Sequence, residues 1–248
     1  MKKVLFTTIF LMTILLSCNN TVKKEAIVIQ NKKILSYEVN LKRQHLKFYW
    51  KDTNNEIYKN FQNLKTSLNK HGKKLIFAVN GGMFNKDFSP QGLYIENGKT
   101  VNKLDTLKNG YGNFYMQPNG VFYITNTGNA FISESDNLPK HVYANIKYAT
   151  QSGPMLMING KMHSKFRKGS KNVHIRNGVG VLPNGNLLFA MSKEKINFYG
   201  FANYFKEKGC KNALYLDGFV SKTYLPFKNF TQLEGNFGVI IGIEEKIK

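Results

Sequence analysis

NFYGFANYFKEKGCKNALYLDG, residues 197–218, holds a helix, its stop signal, a buried strand and an acid at the strand's end. Phe198, Phe201, Ala202 and Phe205 recur at helical spacing, which predicts an amphipathic helix over 197–208 with its aromatic stripe in the core, ended by Gly209. The apolar run 213–216 then reads as a strand that stops at Asp217-Gly218. An earlier stretch follows the same plan. Thr53 and Glu56 fit a capping box, Ile57, Phe61, Leu64 and Leu68 form one stripe, and Gly72 supplies a stop. Strand 75–79 then runs out into Asn80-Gly81-Gly82. Strand ends that follow helices are where α/β sheets tend to place chemistry.

Around these two units the chain is punctuated by Asn97-Gly98, Asn119-Gly120, Asn159-Gly160 and Asn184-Gly185, each between apolar or aromatic stretches. Asn-Gly tolerates the positive φ angles of a tight hairpin, so the pattern predicts several antiparallel pairs. Strands are expected at 34–39, 46–50, 75–79, 93–96, 113–116, 121–125, 155–158, 178–182, 187–192, 213–216 and 237–243. The expected fold class is α+β: a strand-rich mixed, largely antiparallel sheet with at least two helices packed on it.

Lys2 and Lys3 precede a nearly continuous apolar run over 4–16, the layout of a secretion signal and too short for a convincing membrane span. Leu15-Leu16-Ser17-Cys18 resembles the bacterial lipobox. The expectation is a lipoprotein signal peptide over 1–17, lipid on Cys18, a polar tether over 18–24 and one domain over 25–248. Each buried acyl methylene is worth ~0.8 kcal/mol, so two or three chains would hold the protein at a membrane, periplasmic or at the cell surface. With Cys18 lipidated, Cys210 has no partner in the chain, which excludes an intrachain disulfide and a cysteine metal cluster. Cys210 reads as a small buried filler. The net charge of +21 comes from lysines spread along the chain, and arginine appears only at Arg43, Arg167 and Arg176. Nucleic acid is not an expected partner; a diffuse basic surface suits anionic lipid, wall polymer or phosphorylated substrates.

Four segments carry candidate chemistry. Val79-Asn80-Gly81-Gly82-Met83-Phe84 is either a tight turn or a backbone cradle for an anion. Gln151-Ser152-Gly153-Pro154 again sets glycine beside a polar side chain. In His174-Ile175-Arg176, alternation puts His174 and Arg176 on one face, and the guanidinium fork fits phosphate or carboxylate. Asp217, followed by Gly218, Ser221 and Lys222, is an acid at the end of a buried strand, expensive unless paired or used. Glu96 is a second carboxylate candidate, or an exposed hairpin residue. No GxSxG, HExxH or Walker loop is present, and the five histidines show no metal-ligand spacing.

In their order, the runs AVNGGMFNKDFSPQGLYIENG, GNFYMQPNGVFYI, ATQSGPMLMINGKMH, IRNGVGVLPNGNLLFAMS and NFYGFANYFKEKGCKNALYLDG resemble the phosphodiester glycosidase family, and most of all its bacterial branch. The resemblance implies an α+β fold, hydrolysis at a glycosyl phosphodiester, and site positions at Asn80, Gly81, Gly82, Ser152, Gly153, Arg176, Asp217 and Gly218. His174 and Ser221 join the expected substrate contacts. In the expected mechanism Arg176 and the glycine-turn amides hold phosphate, while Asp217 attacks the anomeric carbon or activates water. Glu96 or Asp87 is the nearest second carboxylate. The chain departs from many relatives in continuing the Asp-Gly turn with Phe219-Val220, which would narrow a glycine-lined pocket. No cofactor is expected, although Asp217, Asn80 and backbone carbonyls leave room for a hard divalent cation. The alternative function is a non-catalytic lipoprotein that binds phosphorylated glycan or cell-wall fragments.

Overall fold

A computed structural model describes residues 33–217 and 219–247; the expected leader, Cys18, the tether and Gly218 lie outside the described residues. In chain order the strands are β1 (Ile34–Val39), β2 (Leu46–Tyr49), β3 (Lys73–Asn80), β4 (Tyr94–Glu96), β5 (Lys99–Asn102), β6 (Gly120–Thr125), β7 (Ala130–Glu134) and β8 (Ile146–Ser152). They continue as β9 (Met155–Ile158), β10 (Lys161–Met162), β11 (Asn177–Val181), β12 (Leu187–Ser192), β13 (Ala213–Asp217), β14 (Thr223–Leu225), β15 (Phe230–Thr231) and β16 (Ile240–Lys246). The helices are α1 (Phe61–Lys70) and α2 (Phe198–Glu207).

These strands form three sheets, and every strand pairing among the described residues is antiparallel. The first has the order β1-β12-β11-β13-β9-β10, the second β15-β14-β3-β16-β2, and the third β5-β4-β8-β6-β7. The expected α+β, strand-rich class is what the chain adopts. Aromatic side chains from all three sheets meet in one core: Phe48 lies 5.6 Å from Phe122, and Phe189 lies 5.3 Å from Phe77 and 6.1 Å from Phe122. Each helix covers an outer face. Phe201 and Phe205 of α2 pack on Leu156, Ala190 and Ala213, and Phe61, Leu64 and Leu68 of α1 pack on Leu75, Ala78 and Ile240.

Three of the four Asn-Gly pairs are hairpin turns, joining β4 to β5, β9 to β10 and β11 to β12. Both residues have positive φ at Asn97-Gly98 (49° and 80°) and at Asn159-Gly160 (48° and 80°). The fourth is not a turn of this kind: the Asn119 amide donates back to Phe114 O at 3.0 Å, and Gly120 opens β6. The first helix begins at Phe61, not at the expected capping box. Asp52 Oδ1 accepts from Asn54 N and Glu56 N at 2.8 and 2.9 Å, which takes the Glu56 N–H that a Thr53 cap would use, and Asn60 caps α1 through Asn63 N. Residues 113–115 form a short 3-10 turn instead of a strand, and the last strand starts at Ile240 instead of 237. Cys210 is buried, with its thiol pushed up to about 12 by burial, and fills the gap opposite Gly180.

Within the second sheet Glu244 fastens three strands, accepting from Lys47 Nζ and Tyr49 Oη of β2 at 2.6 and 2.8 Å and from Lys73 Nζ of β3 at 2.7 Å. Burial alone would push this carboxyl up, but the Lys47, Lys73 and Tyr49 hydrogen bonds outweigh it and hold the group below its ordinary value. The lysines keep contact with water, so Glu244→Gln should cost about 1–3 kcal/mol at neutral pH, a fall in Tm of roughly 2–10 °C. A carboxyl lowered on folding contributes fully above its unfolded value of 4.5, and that contribution is lost as pH falls through the folded value. Denaturant midpoints of wild type and variant should therefore differ at neutral pH and converge only as pH falls through the folded value, below 4.5; equal midpoints at neutral pH would remove Glu244 from the sheet's stability.

Candidate active site

Four strand ends converge: β3 ends at Asn80, β8 at Ser152 and β13 at Asp217, while β11 begins at Asn177. Asn177 is the register partner of Asp217, where a bulge interrupts the β11–β13 pairing. Its Nδ2 donates to both Asn80 O and Asn80 Oδ1 at 2.9 Å, and its Oδ1 accepts from Asp217 N at 2.8 Å. Asn80 Nδ2 donates to Asp217 Oδ2 at 3.1 Å, and Asn80 Oδ1 also accepts from Lys222 N at 2.8 Å. Phe219 N donates to Asp217 Oδ1 at 2.9 Å. Asn80, Asn177 and Asp217 are all buried; Asn80 Nδ2 and Phe219 N aim the carboxylate, and Asn177 fixes both Asn80 and the Asp217 backbone.

That carboxylate is on the wall of a cleft of about 300 Å³ lined by Met83, Phe84, Gln91, Asn113, Asp217, Phe219 and Val220. The lining combines four apolar side chains with two neutral amides and an acid. Phe219 and Val220 both line the cleft; Phe219 is 94% exposed, so its ring does not fill it, while Val220 is half-buried.

Ser152 Oγ donates to Leu216 O at 2.9 Å, and Ser221 Oγ to Asp217 O at 2.5 Å and Ile175 O at 3.2 Å, so both hydroxyls brace the backbone around Asp217. Gly81 and Gly82 are buried and do not line the cleft. Gly81 N donates to Val239 O, and a Cβ on Gly82 would lie 2.7 Å from Gln151 O. A Cβ on Gly153 would lie 2.6 Å from Phe114 O. These glycines let chains pack closely; they are not arranged as an anion cradle. Among the described residues no three His, Cys, Asp or Glu side chains gather to hold a metal. Asn80 Oδ1, the oxygen considered for a cation, already accepts two N–H groups.

Arg176 is fully buried. Its Nε donates to Ile196 O at 2.8 Å, Nη1 to Tyr215 Oη at 3.1 Å, and Nη2 to Asn172 O and Oδ1 at 3.0 and 2.8 Å. Its Cζ sits 3.6 Å from the Phe198 ring centroid. Burial pulls the guanidinium down from its ordinary value, and the Tyr215 hydroxyl opposes that. With four of five N–H groups engaged by the protein, this fork ties residue 172, the 196 loop and β13 together and does not face the cleft. His174 is exposed and bridges Ile196 through its backbone, so the expected common face with Arg176 does not form. Glu96 is half-buried at the Asn97-Gly98 hairpin, accepts from Tyr94 Oη at 2.7 Å, and is pushed up by burial; it does not line the cleft. Asp87 lies in an exposed loop, accepting from Ser89 N and Oγ at 3.0 and 2.6 Å.

Sequence reasoning missed Asn177, Gln91 and Asn113. A polar residue opening a strand otherwise made of glycine and valine was the available signal for Asn177; Gln91 lies in an irregular segment and Asn113 opens a three-residue 3-10 turn, neither with a periodicity to read.

The chain belongs to the phosphodiester glycosidase family, whose model matches residues 73–240. It is similar to the uncharacterised Escherichia coli K12 protein YigE, with 35% identity over 215 residues, covering 86% of this chain and 82% of that protein. Among solved structures it resembles the catalytic domain of zebrafish N-acetylglucosamine-1-phosphodiester alpha-N-acetylglucosaminidase, auto-inhibited by its pro-peptide, with TM-score 0.58, 15% identity and 86% and 82% of the two chains covered. It also resembles a protein from Burkholderia pseudomallei K96243, with TM-score 0.54, 9% identity and 85% and 73% covered. At these identities the structural likeness shows the fold, while family membership suggests a hydrolase with phosphodiester glycosidase activity.

Arg176→Lys removes the planar stack and most of the fork, so it should cost about 2–4 kcal/mol, a Tm lower by roughly 5–15 °C. In protein kept folded by low temperature, KM should stay within about twofold of wild type. An unchanged Tm with a strongly raised KM would make Arg176 a substrate contact after all.

Proposed function

We propose that this protein is an exported, lipid-anchored hydrolase of glycosyl phosphodiesters that works from the Asp217 cleft. The observation that carries this reading is the burial of Asp217 on the cleft wall with its two oxygens aimed by Asn80 Nδ2 and Phe219 N. A carboxylate so held loses little orientational freedom when a sugar arrives.

In the reaction the bond from the anomeric carbon to the phosphate oxygen breaks, and the phosphate monoester leaves with the electron pair. Phosphate is a weak base, so a strong general acid is dispensable, which fits a cleft whose lining includes one carboxylate. Asp217 either bonds to the anomeric carbon, giving a glycosyl-enzyme that water then hydrolyses, or takes the proton from an attacking water. Gln91 and Asn113 offer amide donors to sugar hydroxyls or phosphate oxygens, and the apolar wall of Met83, Phe84 and Val220 suits the C–H face of a pyranose. Arg176 is a positioning residue that acts through Tyr215, two residues before Asp217.

Asp217→Asn should lower turnover of a hexosyl 1-phosphate methyl diester at least about a thousandfold while shifting Tm by only a few degrees, since the hydrogen bond from Phe219 N to the retained side-chain oxygen survives. Retained turnover would remove Asp217 from the chemistry. The anomer first released, read by NMR, separates the two roles: retention assigns Asp217 as nucleophile and inversion as base. Tight binding of such diesters with no turnover by wild type would favour the binding lipoprotein instead.

A further inference from the structure

The segment from 161 to 176 concentrates positive charge beside the cleft. No Asp or Glu occurs between Asp136 and Glu194, and within that interval Lys165, Arg167, Lys168 and Lys171 crowd into seven residues. All four are exposed. Glu194, the next acid along, is paired with Lys33 at 3.2 Å.

The loop that carries them is held rigidly. Phe166 is buried between the rings of His163 and Phe198, with centroids at 4.8 and 4.9 Å, and the Arg176 guanidinium lies over the Phe198 ring at 3.6 Å. His163 Nδ1 accepts from Lys165 N at 3.1 Å, which makes Nε2 the donor to Gln117 O at 3.0 Å. Asn197 Nδ2 holds Ser170 O at 3.0 Å, and Arg176 holds Asn172. Four cations therefore stand on a fixed frame, at lower entropic cost for capturing an anion than a mobile tail would incur.

The same anchors set the loop against the cleft. Gln117 follows the turn that supplies Asn113, Ile175 is bonded by Ser221, which also braces Asp217, and cleft-lining Met83 packs on the cluster that contains Phe166 and Phe198. The cleft lining itself contains no cation. The charge complementary to phosphate is thus displaced from the reacting centre onto its rim.

The geometry points to loop 164–171 as a recruiting rim for a glycan chain carrying several phosphates, so that the preferred substrate is a polyanionic polymer with repeated phosphodiesters and not an isolated sugar diester. This rests on the proposed hydrolase reading for its substrate class. A lone diester carries about one negative charge, too few to match four cations, whereas a chain threading past the rim places successive phosphates within a Debye length of about 8–10 Å. Nucleic acid fits less well: the loop's one aromatic ring is buried and unable to stack on bases, and Arg167 Nη1 is occupied by the backbone oxygens of Ser164 and Phe166.

The test compares the full wild-type chain with a variant combining Lys165→Gln, Arg167→Gln, Lys168→Gln and Lys171→Gln. A second variant keeps Arg167, which closes the loop on itself. The probes are a synthetic poly(hexosyl 1-phosphate), the single methyl diester, single-stranded DNA and phosphatidylglycerol vesicles. Wild type should bind the polymer more tightly than the single diester, with affinity falling steeply as salt rises, and both variants should lose roughly tenfold or more in polymer affinity with a flatter salt dependence. In turnover, the ratio of kcat/KM for polymer over single diester should fall by a similar factor. Polymer binding equal to that of the single diester, or unaffected in both variants, overturns the inference. So does binding of DNA or vesicles as tightly as the polymer. If wild type hydrolyses no diester, the hydrolase reading fails, and the binding comparison still decides the rim.

Discussion

Asn177 reaches from β11 to Asn80 at the end of β3, and through these two buried amides the first and second sheets are locked together beside Asp217. Each hydrogen bond is worth only about 1 kcal/mol net, but leaving one partner unsatisfied costs more, so a buried network of this kind is kept whole or lost. Among the described residues no buried side-chain nitrogen or oxygen lacks a partner. The network has a functional consequence: the carboxylate's position is set by amides on two separate sheets, which makes the site a product of sheet packing and not of any one loop.

A second constraint runs alongside it. A guanidinium taken out of water must have its donors satisfied, and Arg176 meets that demand with Ile196, Tyr215 and Asn172 while stacking on Phe198. The outcome is a rigid column from His163 through Phe166 and Phe198 to Tyr215, ending two residues from the acid. The cation most suited by type to phosphate is thereby used for architecture, and the exposed cations beyond it are left for solvent and ligands. The buried acid of the proposed site and the exposed cations of the proposed rim are joined by this one packed column.

How far each feature was legible depended on the range of the interaction behind it. The Asn97-Gly98 and Asn159-Gly160 turns are readable because positive φ is demanded within two residues. The α2 stripe is readable because its period is local. The start of α1 differs from the expected one because Thr53–Glu56 spacing fits a capping box equally well until Asp52 claims the Glu56 amide. Strand β8 was missed because Thr150, Gln151 and Ser152 look like loop residues; they are fully paired and buried only once β4 and β6 flank them. Asp217 and Asn80 stood out as polar groups at the ends of apolar strands, while Arg176 read as a phosphate fork because its residue type suits an anion and nothing local shows that it turns inward.

By itself the sequence determined the α+β class, the two helix stripes, most hairpins, the family and the acid at the end of β13, because each is written in local spacing or in ordered runs of residues. Tertiary structure alone decided that Asn177 would hold Asn80, 97 residues away, and that Arg176 would face inward and not toward the cleft. The reason is that a polar side chain's role is set by which partners the packing of distant strands brings within hydrogen-bond reach, and no local pattern encodes that choice.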